Sequence, residues 1–370
     1  MAKTNEKTAA KAATVSPSDA KREIASSIAS GPKVVYDPIL NRYEFLFLVA
    51  CTDANPNGDP DMDDMPRVDP ETMHGFITDA ATKARVREYL TIAHGSEPGM
   101  NMSIVAETNY NRVLAEAKES AGVALTDVTV PAVRKACDHA KKLWFDVRAF
   151  GGVMAVGPNI GHVRGPVQFA FGRSVDPVLP MDIGINRVSK AIEVKGATTA
   201  SDYITDEANS DPSGLRTKGR KHFIPFGLYE IHGFVSANQA QKTGFDEQDL
   251  QYLFEAMANM YDATRSASKG TMSVVSPVIV FKHVGDPGIP AEHARNQALL
   301  GRAPAQKLFE LVQVAKKPGV EFPRSHWDYD AVINLSACPK GVEIGFLDSY
   351  SQEGIVWGKL PSTQTWMKSV

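Results

Sequence analysis

The segment Tyr43-Glu44-Phe45-Leu46-Phe47-Leu48-Val49-Ala50 decides the fold of this chain. It is short, aromatic and rich in large apolar residues, and it runs directly into a stretch that contains Asn, Pro and Gly. A run of this kind, bounded by turn residues, is typical of a β-strand that is largely buried. The strand therefore marks the start of the folded part of the chain.

Patterns of helix and strand alternate downstream of this strand. An acidic loop is predicted over 51–75, and a helix follows from about Thr78 to Ile92, with Asp79 near its start to favour the helix dipole. The other predicted elements are a helix over Pro131–Leu143, two strands joined by a glycine-rich turn within Val147–Phe171, an insertion over about 172–222, a strand over Ile224–Val235, a helix over Asp246–Thr264 and a strand over Val274–His283. This order predicts an α+β fold in which helices cover one face of an antiparallel sheet.

The two ends of the chain differ from this folded part. Residues 1–40 are predicted to form a disordered tail, because they are low in aromatic residues and include Ser30-Gly31-Pro32. The scarcity of acids and the many Ala, Ser and Lys residues in this tail are also compatible with a transit peptide. Residues 315–370 form an extension whose structure the pattern leaves open.

The cysteines and the hydropathy bear on the location of the protein. Cys51, Cys137 and Cys338 are odd in number and far apart, which is typical of a reducing cytosolic compartment and not of a disulfide framework. Apolar runs stay shorter than the roughly 18–20 residues that a membrane span requires. We therefore expect a cytoplasmic protein that does not bind a membrane.

The length of 370 residues gives a prior of two domains or of one domain with insertions.

The charge balance excludes one class of function for this protein. With 40 Lys and Arg against 43 Asp and Glu, the net charge is −3, which excludes a uniformly basic binder of polyanions. Residues 41–80 hold nine acids and two bases, however, so the remainder of the chain carries a net charge of +4. A local basic surface therefore stays compatible with the composition.

The acidic loop is the first candidate for chemistry. Asp53-x-Asn55-x-Asn57-Gly58-x5-Asp64 has oxygen ligands and a glycine at the offsets of an EF-hand calcium loop. The loop follows a strand and not a helix, and its twelfth position is Asp and not the bidentate Glu. A turn built from Asn, Pro and Gly is therefore the favoured interpretation, with an adventitious cation as the alternative. We expect no bound metal.

Other enzyme signatures are incomplete. Ser266-x-x-Lys269 and Lys242-Thr243-Gly244 occur in the order opposite to that of penicillin-binding enzymes. The glycines from Gly152 to Gly157 lack the Lys-Ser/Thr that completes a phosphate-binding loop. The sequence therefore predicts neither an enzyme nor a cofactor.

Basic residues interleaved with glycine form the strongest pattern. The stretch 214–222 contains Arg216, Lys218, Arg220 and Lys221 without an acid, and Gly161–Phe169 carries Arg164 between two glycines and Gln168 shortly after them. Loops of this composition commonly contact phosphates, although a solvated loop has the same composition. Lys83 and Arg87 share one helix face, where a solvated surface is the alternative explanation.

Five linked motifs resemble a known family. They are Thr52-Asp53-Ala54-Asn55-Pro56-Asn57-Gly58-Asp59-Pro60 with Pro66–Thr72, Trp144–Gly151, Val163–Phe169, Gly219–His222 and Asp262–Ser266. Together they resemble the backbone subunit of the type I-C CRISPR Cascade complex, of the RAMP type, in matching order from about Tyr43 to about Val314. The tail over 1–40 and the region after about 315 depart from the usual length of that family.

The resemblance implies both a fold and a function. The family has a modified RNA-recognition-motif (ferredoxin-like) palm with inserted finger and thumb elements, and 172–222 is our candidate thumb. Its members are non-catalytic scaffolds that polymerise head to tail along a CRISPR RNA and present its bases for pairing with target DNA in antiviral defence. The implied partners are therefore CRISPR RNA, target DNA, further copies of the chain, other Cascade subunits and a recruited helicase–nuclease.

The expected site follows from these motifs and from the basic segments. The predicted RNA-binding residues are Asn55, Asn57, Gly58, Arg67, Lys83, Arg87, Arg148, Arg164, Gly165, Gln168, Arg173, Arg216, Lys218, Arg220, Lys221, His222, Arg265 and Lys269. One alternative is a metal-dependent RNA-cleaving relative that would use Asp59 or Asp61 of the 53–64 loop. Another is a structural metal-binding protein built on the same loop. We also expect this acidic loop to help one copy dock on the next.

Overall fold

The structure is a computed structural model that describes residues 26–34, 37–189, 193–210 and 217–370. Within these residues the strands are β1 (Tyr43–Ala54), β2 (Gly58–Asp59), β3 (Met65–Pro66), β4 (His74–Ile77), β5 (Gly151–Met154), β6 (Gly161–Arg164), β7 (Val167–Phe169), β8 (Gly172–Pro177), β9 (Met181–Arg187), β10 (Thr217–Val235), β11 (Thr271–Val274), β12 (Val278–His283), β13 (Val312–Lys316), β14 (Tyr329–Ile333), β15 (Val342–Leu347), β16 (Val356–Trp357) and β17 (Met367–Ser369). The α-helices are α1 (Asp79–His94), α2 (Tyr110–Ser120), α3 (Val130–Leu143), α4 (Phe145–Phe150), α5 (Ala200–Asn209), α6 (Ala237–Thr243), α7 (Glu247–Ala263), α8 (Ala291–Leu300) and α9 (Ala305–Phe309).

The main sheet is antiparallel and is centred on β1. Its strand order is β16-β15-β12-β1-β10-β8-β4, with β11 beside β1 and with β7 and β9 beside β10. Strand β1 pairs along almost its whole length with β10, from Tyr43 opposite Val235 to Ala54 opposite Ile224. The prediction of an α+β fold with an antiparallel sheet is confirmed, and so are the predicted helices that correspond to α1, α3 and α7.

Strand β1 is buried on both of its faces. Phe45, Phe47 and Val49 point into a core that they share with α1 and α7, whereas Leu46 and Leu48 point into a second core on the opposite face. Successive side chains of a strand alternate between faces, so only a continuous apolar run suits this position. Burying one such side chain contributes roughly 1.5–3 kcal/mol, which makes β1 the anchor of the fold.

The C-terminal part of the chain builds this second core. Strands β13, β14 and β17 form a separate three-stranded sheet, and Tyr329, Ile333 and Met367 from it pack against the second face of β1 and β10. Strands β15 and β16 extend the main sheet beyond β12. Residues after 315, whose structure the sequence left open, therefore pack on the second face of the main sheet and extend it at one edge.

The ordered part of the chain begins closer to the N-terminus than the sequence predicted. The backbone amides of Ala29 and Ser30 donate to Asn101 Oδ1 at 2.8 and 3.0 Å. Lys33 is buried, and its Nζ lies 2.8 Å from an oxygen of Asp246 and 3.0 Å from Asp249 Oδ1. The prediction of a disordered tail is therefore wrong for residues 26–34, which these contacts hold against the fold, and for residues 37–40, where Ile39 is buried and its amide donates to Phe245 O at 3.1 Å. Residues 1–25 and 35–36 lie outside the described residues.

The inserted region is shorter than predicted. Residues Gly172–Pro177 belong to the main sheet as β8, which pairs with β10 and β4. The projecting part begins with β9 (Met181–Arg187), which pairs with Thr217–Phe223 at the start of β10, and α5 lies between these two strands in the chain. The described part of the insertion is thus a β-hairpin with an inserted helix.

Candidate nucleic-acid interface

The long strand β10 leaves the main sheet where β1 ends. Its 19 residues span roughly 60 Å at 3.3 Å per residue, longer than any partner strand. Ile224 is the residue paired with Ala54, and Thr217–Phe223 continue beyond it to pair with β9. The loop that follows β1 therefore lies beside the base of the projecting hairpin.

A cleft of about 600 Å³ lies at this junction. Three segments that are far apart in the sequence meet there: the loop after β1, the β9–β10 hairpin and the turn after α7. The residues that line it are Asn55, Asp63, Asp64, Gly184, Gly219, Arg220, Lys221, His222 and Ser268. Four of the predicted RNA-binding residues, Asn55, Arg220, Lys221 and His222, thus share one cleft.

The turn after α7 holds the loop in place. Lys269 Nζ donates to the carbonyl oxygens of Asn55 and Pro56 at 3.1 and 2.9 Å, and the Asn55 amide donates to Ser268 O at 2.8 Å. Burial, reinforced by the nearby Arg85, lowers the pKa of the Lys269 ammonium. Lys269 was predicted to contact RNA, but in this structure its donors are directed at the loop backbone.

Three further predicted residues maintain the shape of the loop. Asn57 Oδ1 accepts a hydrogen bond from the Thr78 amide at 2.9 Å, just before α1. Arg67 Nη1 lies 3.1 Å from Asp59 Oδ2. A Cβ at Gly58 would lie 2.9 Å from Asp64 O, so a side chain there would displace the loop. These contacts stiffen the wall of the cleft.

The acids of this loop do not converge on a common point. Asp59 caps a short 3₁₀ helix (Pro60–Met62) by accepting from the Asp61 amide, in addition to its pairing with Arg67. Asp63 and Asp64 are exposed and have left-handed backbones with φ of 53° and 59°. Across the residues that the structure describes, His, Cys, Asp and Glu side chains nowhere gather in a group of three or more that could hold a metal ion.

The cleft combines positive charge with buried polar atoms. Arg220 is 71% exposed, with Nη1 4.0 Å from Asp182 Oδ2, so its guanidinium is available to a ligand. His222 Nε2 lies 3.5 Å from Asp63 Oδ2. Asn55 Oδ1 and His222 Nδ1 lack a hydrogen-bond partner among the described residues, and His222 Nε2 has only this longer approach to Asp63. Buried polar atoms are nearly always paired, so these atoms point to a polar ligand or to water in the cleft.

Lys83 and Arg87 lie away from this cleft, on α1. Lys83 Nζ pairs with Asp79 Oδ2 at 2.8 Å, and Arg87 Nε donates to the buried Asp146 Oδ2 at 2.8 Å. Both cations also lie over the ring of Phe150, at 5.8 and 5.4 Å from its centroid. The Lys83 and Arg87 side chains therefore link α1 to α4. This packing role differs from both earlier interpretations, a solvated helix face and an RNA contact.

Arg148 is buried in the protein interior. Its Nε and Nη2 each donate to an Asp249 carboxylate oxygen at 2.9 Å, and Nη1 donates to Gly99 O and Lys141 O at 2.9 and 3.0 Å. The Arg148 side chain is 3% exposed, so the prediction that Arg148 contacts RNA is wrong. The prediction came from the presence of Arg148 in the motif Trp144–Gly151, and a motif of this kind does not show whether a side chain is buried.

The remaining predicted residues lie on several surfaces. Arg164, Gln168 and Arg173 are exposed on β6, β7 and β8. Gly165 is packed so closely that a Cβ would lie 2.3 Å from the carbonyl carbon of Phe150, and this contact explains the glycine without a phosphate. The exposed Arg265 pairs with the neighbouring Asp262. Arg216 lies outside the described residues, and Lys218 belongs to strand β10.

Five of the nine described residues that line the cleft were not predicted as ligand contacts, namely Asp63, Asp64, Gly184, Gly219 and Ser268. Asp63 was assigned only to the acidic loop, and Ser268 only to an incomplete enzyme motif. A signal for Asp63 was present, since it lies in a loop that follows the same strand as Asn55. Ser268 lacked any such signal, because only the packing of the turn after α7 against the loop brings it to the cleft.

The sequence profile of the family described as CRISPR-associated protein Cas7 matches residues 41–334. The chain belongs to the Cas7 family. Membership covers β1, the hairpin and the turn after α7, which are the three segments of the cleft. The expected resemblance to a CRISPR backbone family is thereby confirmed at the level of the family.

One curated relative and two solved structures extend the comparison. The CRISPR-associated protein Cas7 of Haloferax volcanii (strain DS2) is 24% identical over 233 residues, which are 58% of this chain; the chain spans 62% of that relative's length. A structure titled CRISPR RNA-guided surveillance complex, pre-nicking, is 14% identical with a TM-score of 0.38, over 71% of this chain and 84% of its own. Another, titled CRISPR RNA-guided surveillance complex, is 13% identical with a TM-score of 0.32, over 70% and 75%.

The helices of the structure bear on the question of a membrane span. Among the helices of the described residues, none combines the length with the apolar composition that crossing a bilayer demands.

Proposed function

We propose that this Cas7-family chain is a non-catalytic scaffold that binds CRISPR RNA through the cleft at the base of the β9–β10 hairpin. The observation that carries the proposal is the meeting of Asn55, Arg220, Lys221 and His222 in one cleft, although they come from segments about 165 positions apart. Lys and Arg contacts to phosphates give affinity without sequence preference, which a subunit that accepts arbitrary guides requires.

The proposed fold is a modified RNA-recognition-motif (ferredoxin-like) palm. Four neighbouring antiparallel strands in the order β12-β1-β10-β8, with α1 and α7 packed on one face, support this assignment. The β9–β10 hairpin with α5 is the proposed thumb. In this arrangement the thumb extends from the palm by continuation of one palm strand, so its base lies directly beside the loop after β1.

The proposed assembly is a head-to-tail polymer along the guide, within a Cascade complex of type I-C. Head-to-tail contacts are heterologous, and an open filament results when they do not close into a ring. The exposed acidic side chains Asp61, Asp63 and Asp64 are the proposed docking contribution of one copy. Target DNA would pair with the presented guide bases, and other Cascade subunits and a helicase–nuclease would bind the assembled complex.

Size-exclusion chromatography with and without a CRISPR RNA tests the proposal. We expect the purified chain to elute as a small species alone and as a large, RNA-containing species when the RNA is present. A mixture that elutes as separate protein and free RNA at low salt would contradict the proposed function. Incubation of the assembly with complementary RNA and Mg²⁺ or Mn²⁺ tests the cleavage alternative, which predicts a regularly spaced ladder that is lost in Asp59→Ala.

A further inference from the structure

A stacked pair of aromatic rings lies at the outer edge of the main sheet. The rings of Phe76, on β4, and Phe171, immediately before β8, are parallel within 2°, and their centroids are 5.9 Å apart. Phe171 is 48% exposed, although Phe side chains are usually buried. The pair therefore presents an aromatic surface to the solvent.

An arginine completes this aromatic surface. Arg173 lies directly opposite Phe76 in the β4–β8 ladder, and its guanidinium carbon is 5.1 Å from the centroid of the Phe76 ring. The Arg173 side chain is 53% exposed, and its Nη1 is 3.7 Å from Asp69 Oδ2. We call Phe76, Phe171 and Arg173 the edge stack.

The backbone connects the edge stack to the cleft. The Phe76 amide donates to Arg67 O at 3.0 Å, and the Arg67 amide donates to Asn57 O at 3.0 Å. Only two backbone hydrogen bonds thus separate Phe76 from the loop that lines the cleft. The edge stack and the loop of the cleft are thus held in a fixed relation through Arg67.

The chemistry of the edge stack favours one kind of ligand. A planar guanidinium and an exposed aromatic face both stack well on a flat π-system, and such stacking is the common way in which proteins hold unpaired bases. A purely aliphatic partner would use the apolar rings but would gain little from the guanidinium. A nucleobase therefore suits the three side chains better than an apolar protein surface.

We propose that the edge stack is a platform for one unpaired nucleobase of the RNA held by each copy of the chain. The proposal rests on the proposed function, because it takes the RNA in the cleft as the source of the base. It assigns a role to Phe76 and Phe171, which do not belong to any basic segment, and it separates the role of Arg173 from phosphate binding.

Short oligoadenylates carrying 2-aminopurine at one position at a time test the platform. For Phe171→Leu we expect binding that is weaker by about 5- to 150-fold, since stacking on an aromatic ring contributes roughly 1–3 kcal/mol per base. The fluorescence quenching of 2-aminopurine at one particular position should be lost as well. The slope of log affinity against log salt should stay unchanged, because no phosphate contact is removed.

Two control variants keep the result interpretable. Phe171→Trp retains a stacking face and should restore both affinity and quenching. Phe322→Leu removes a ring that is 70% exposed outside the edge stack and should behave as the parent protein.

The remaining outcomes separate the platform from the proposed function. Parent-like affinity and quenching in Phe171→Leu would overturn the platform and leave the proposed function intact. Normal binding of short RNA with loss of multi-copy assembly would also overturn it, because the ring would then be a protein contact. Failure of the parent protein to bind any of the RNAs would overturn the proposed function, and the platform with it.

Discussion

The guanidinium of Arg148 forms a two-pronged ion pair with Asp249 inside the protein, with Nε and Nη2 each 2.9 Å from a carboxylate oxygen. Lys33 Nζ approaches the same carboxylate to 3.0 Å from the N-terminal segment. The pair thereby connects α4, α7 and the segment that precedes β1. Removal of one cationic partner from a buried carboxylate lowers the stability of the folded state, because part of the buried negative charge is then uncompensated.

Replacement of Arg148 by Leu should destabilise the protein by about 3–5 kcal/mol, because Asp249 would stay buried with one of its cations removed. Urea unfolding followed by circular dichroism measures this change. Arg164→Leu, on the exposed surface of β6, is the matched control and should stay within about 0.5 kcal/mol of the parent protein. RNA affinity of the folded Arg148→Leu protein should match that of the parent; a large specific loss would restore Arg148 as an RNA contact.

Acid should weaken the fold through Asp249. Burial by itself would raise the pKa of Asp249, but the charges of Arg148 and Lys33 and their hydrogen bonds hold this pKa below its ordinary value. The unfolded state therefore binds the proton more readily. The stabilisation is fully present above the unfolded pKa of about 4 and is lost as the pH falls through the lower pKa of the folded state. Asp249→Asn should show lower stability at neutral pH and a shallower decline below about pH 4 in urea titrations. An equally steep decline in the variant would place the acid sensitivity elsewhere.

The cleft cations should contribute salt-dependent affinity. For the double variant Arg220→Ala/Lys221→Ala we expect weaker RNA binding for every guide sequence and a salt slope that is shallower by about 0.7 for each lost phosphate contact. Filter binding at several salt concentrations measures both quantities. Lys340→Ala/Lys359→Ala removes two exposed charges elsewhere and should leave the slope unaltered. Adding Arg216→Ala and Lys218→Ala should lower the affinity further. The same slope in all of these variants would rule out the cleft as the phosphate-binding surface.

The acidic loop should affect assembly more than RNA binding by a single copy. Neutralising Asp59, Asp61, Asp63 and Asp64 together to Asn should shorten RNA-dependent assemblies, as measured by size-exclusion chromatography with light scattering. Asp59 also pairs with Arg67, and Asp63 and Asp64 line the proposed RNA cleft, so Asp61→Asn alone, which leaves the pair and the cleft intact, separates docking from loop stability and from RNA binding. Assemblies of undiminished length in both variants would refute the docking hypothesis.

A side chain at one glycine of the sheet, Gly233, should destabilise the protein. Gly233 on β10 lies opposite Phe45 on β1, and a Cβ there would come within 2.0 Å of the Phe45 ring. Gly233→Ala should therefore lower stability by about 1–3 kcal/mol, the usual cost of overpacking. Thermal unfolding measures the loss, and Gly31→Ala, where a Cβ has no neighbour within 4 Å among the described residues, should melt as the parent protein does. Equal melting of the two variants would mean that the Phe45 ring can move aside.

Part of the site was predictable because its signals are local. The basic composition around Arg220 and Lys221 and the turn residues after β1 are properties of short segments, and both segments line the cleft. The sequence reasoning failed where a charge meets a distant partner. Lys269 belongs to the same pattern of bases beside glycine as the cleft cations, yet it binds the backbone at Asn55. Arg148 was expected from a family motif, yet it is paired with Asp249.

The apolar run from Tyr43 to Ala50 by itself determined that this segment is a strand that is largely buried, because a strand with one solvated face would alternate between apolar and polar residues. Which elements supply the two covers was decided only by tertiary structure: helices α1 and α7 on one face, and the C-terminal strands on the other. The physical reason is that periodicity encodes how much surface an element buries, whereas the partner that buries it depends on packing among segments that are distant in the sequence.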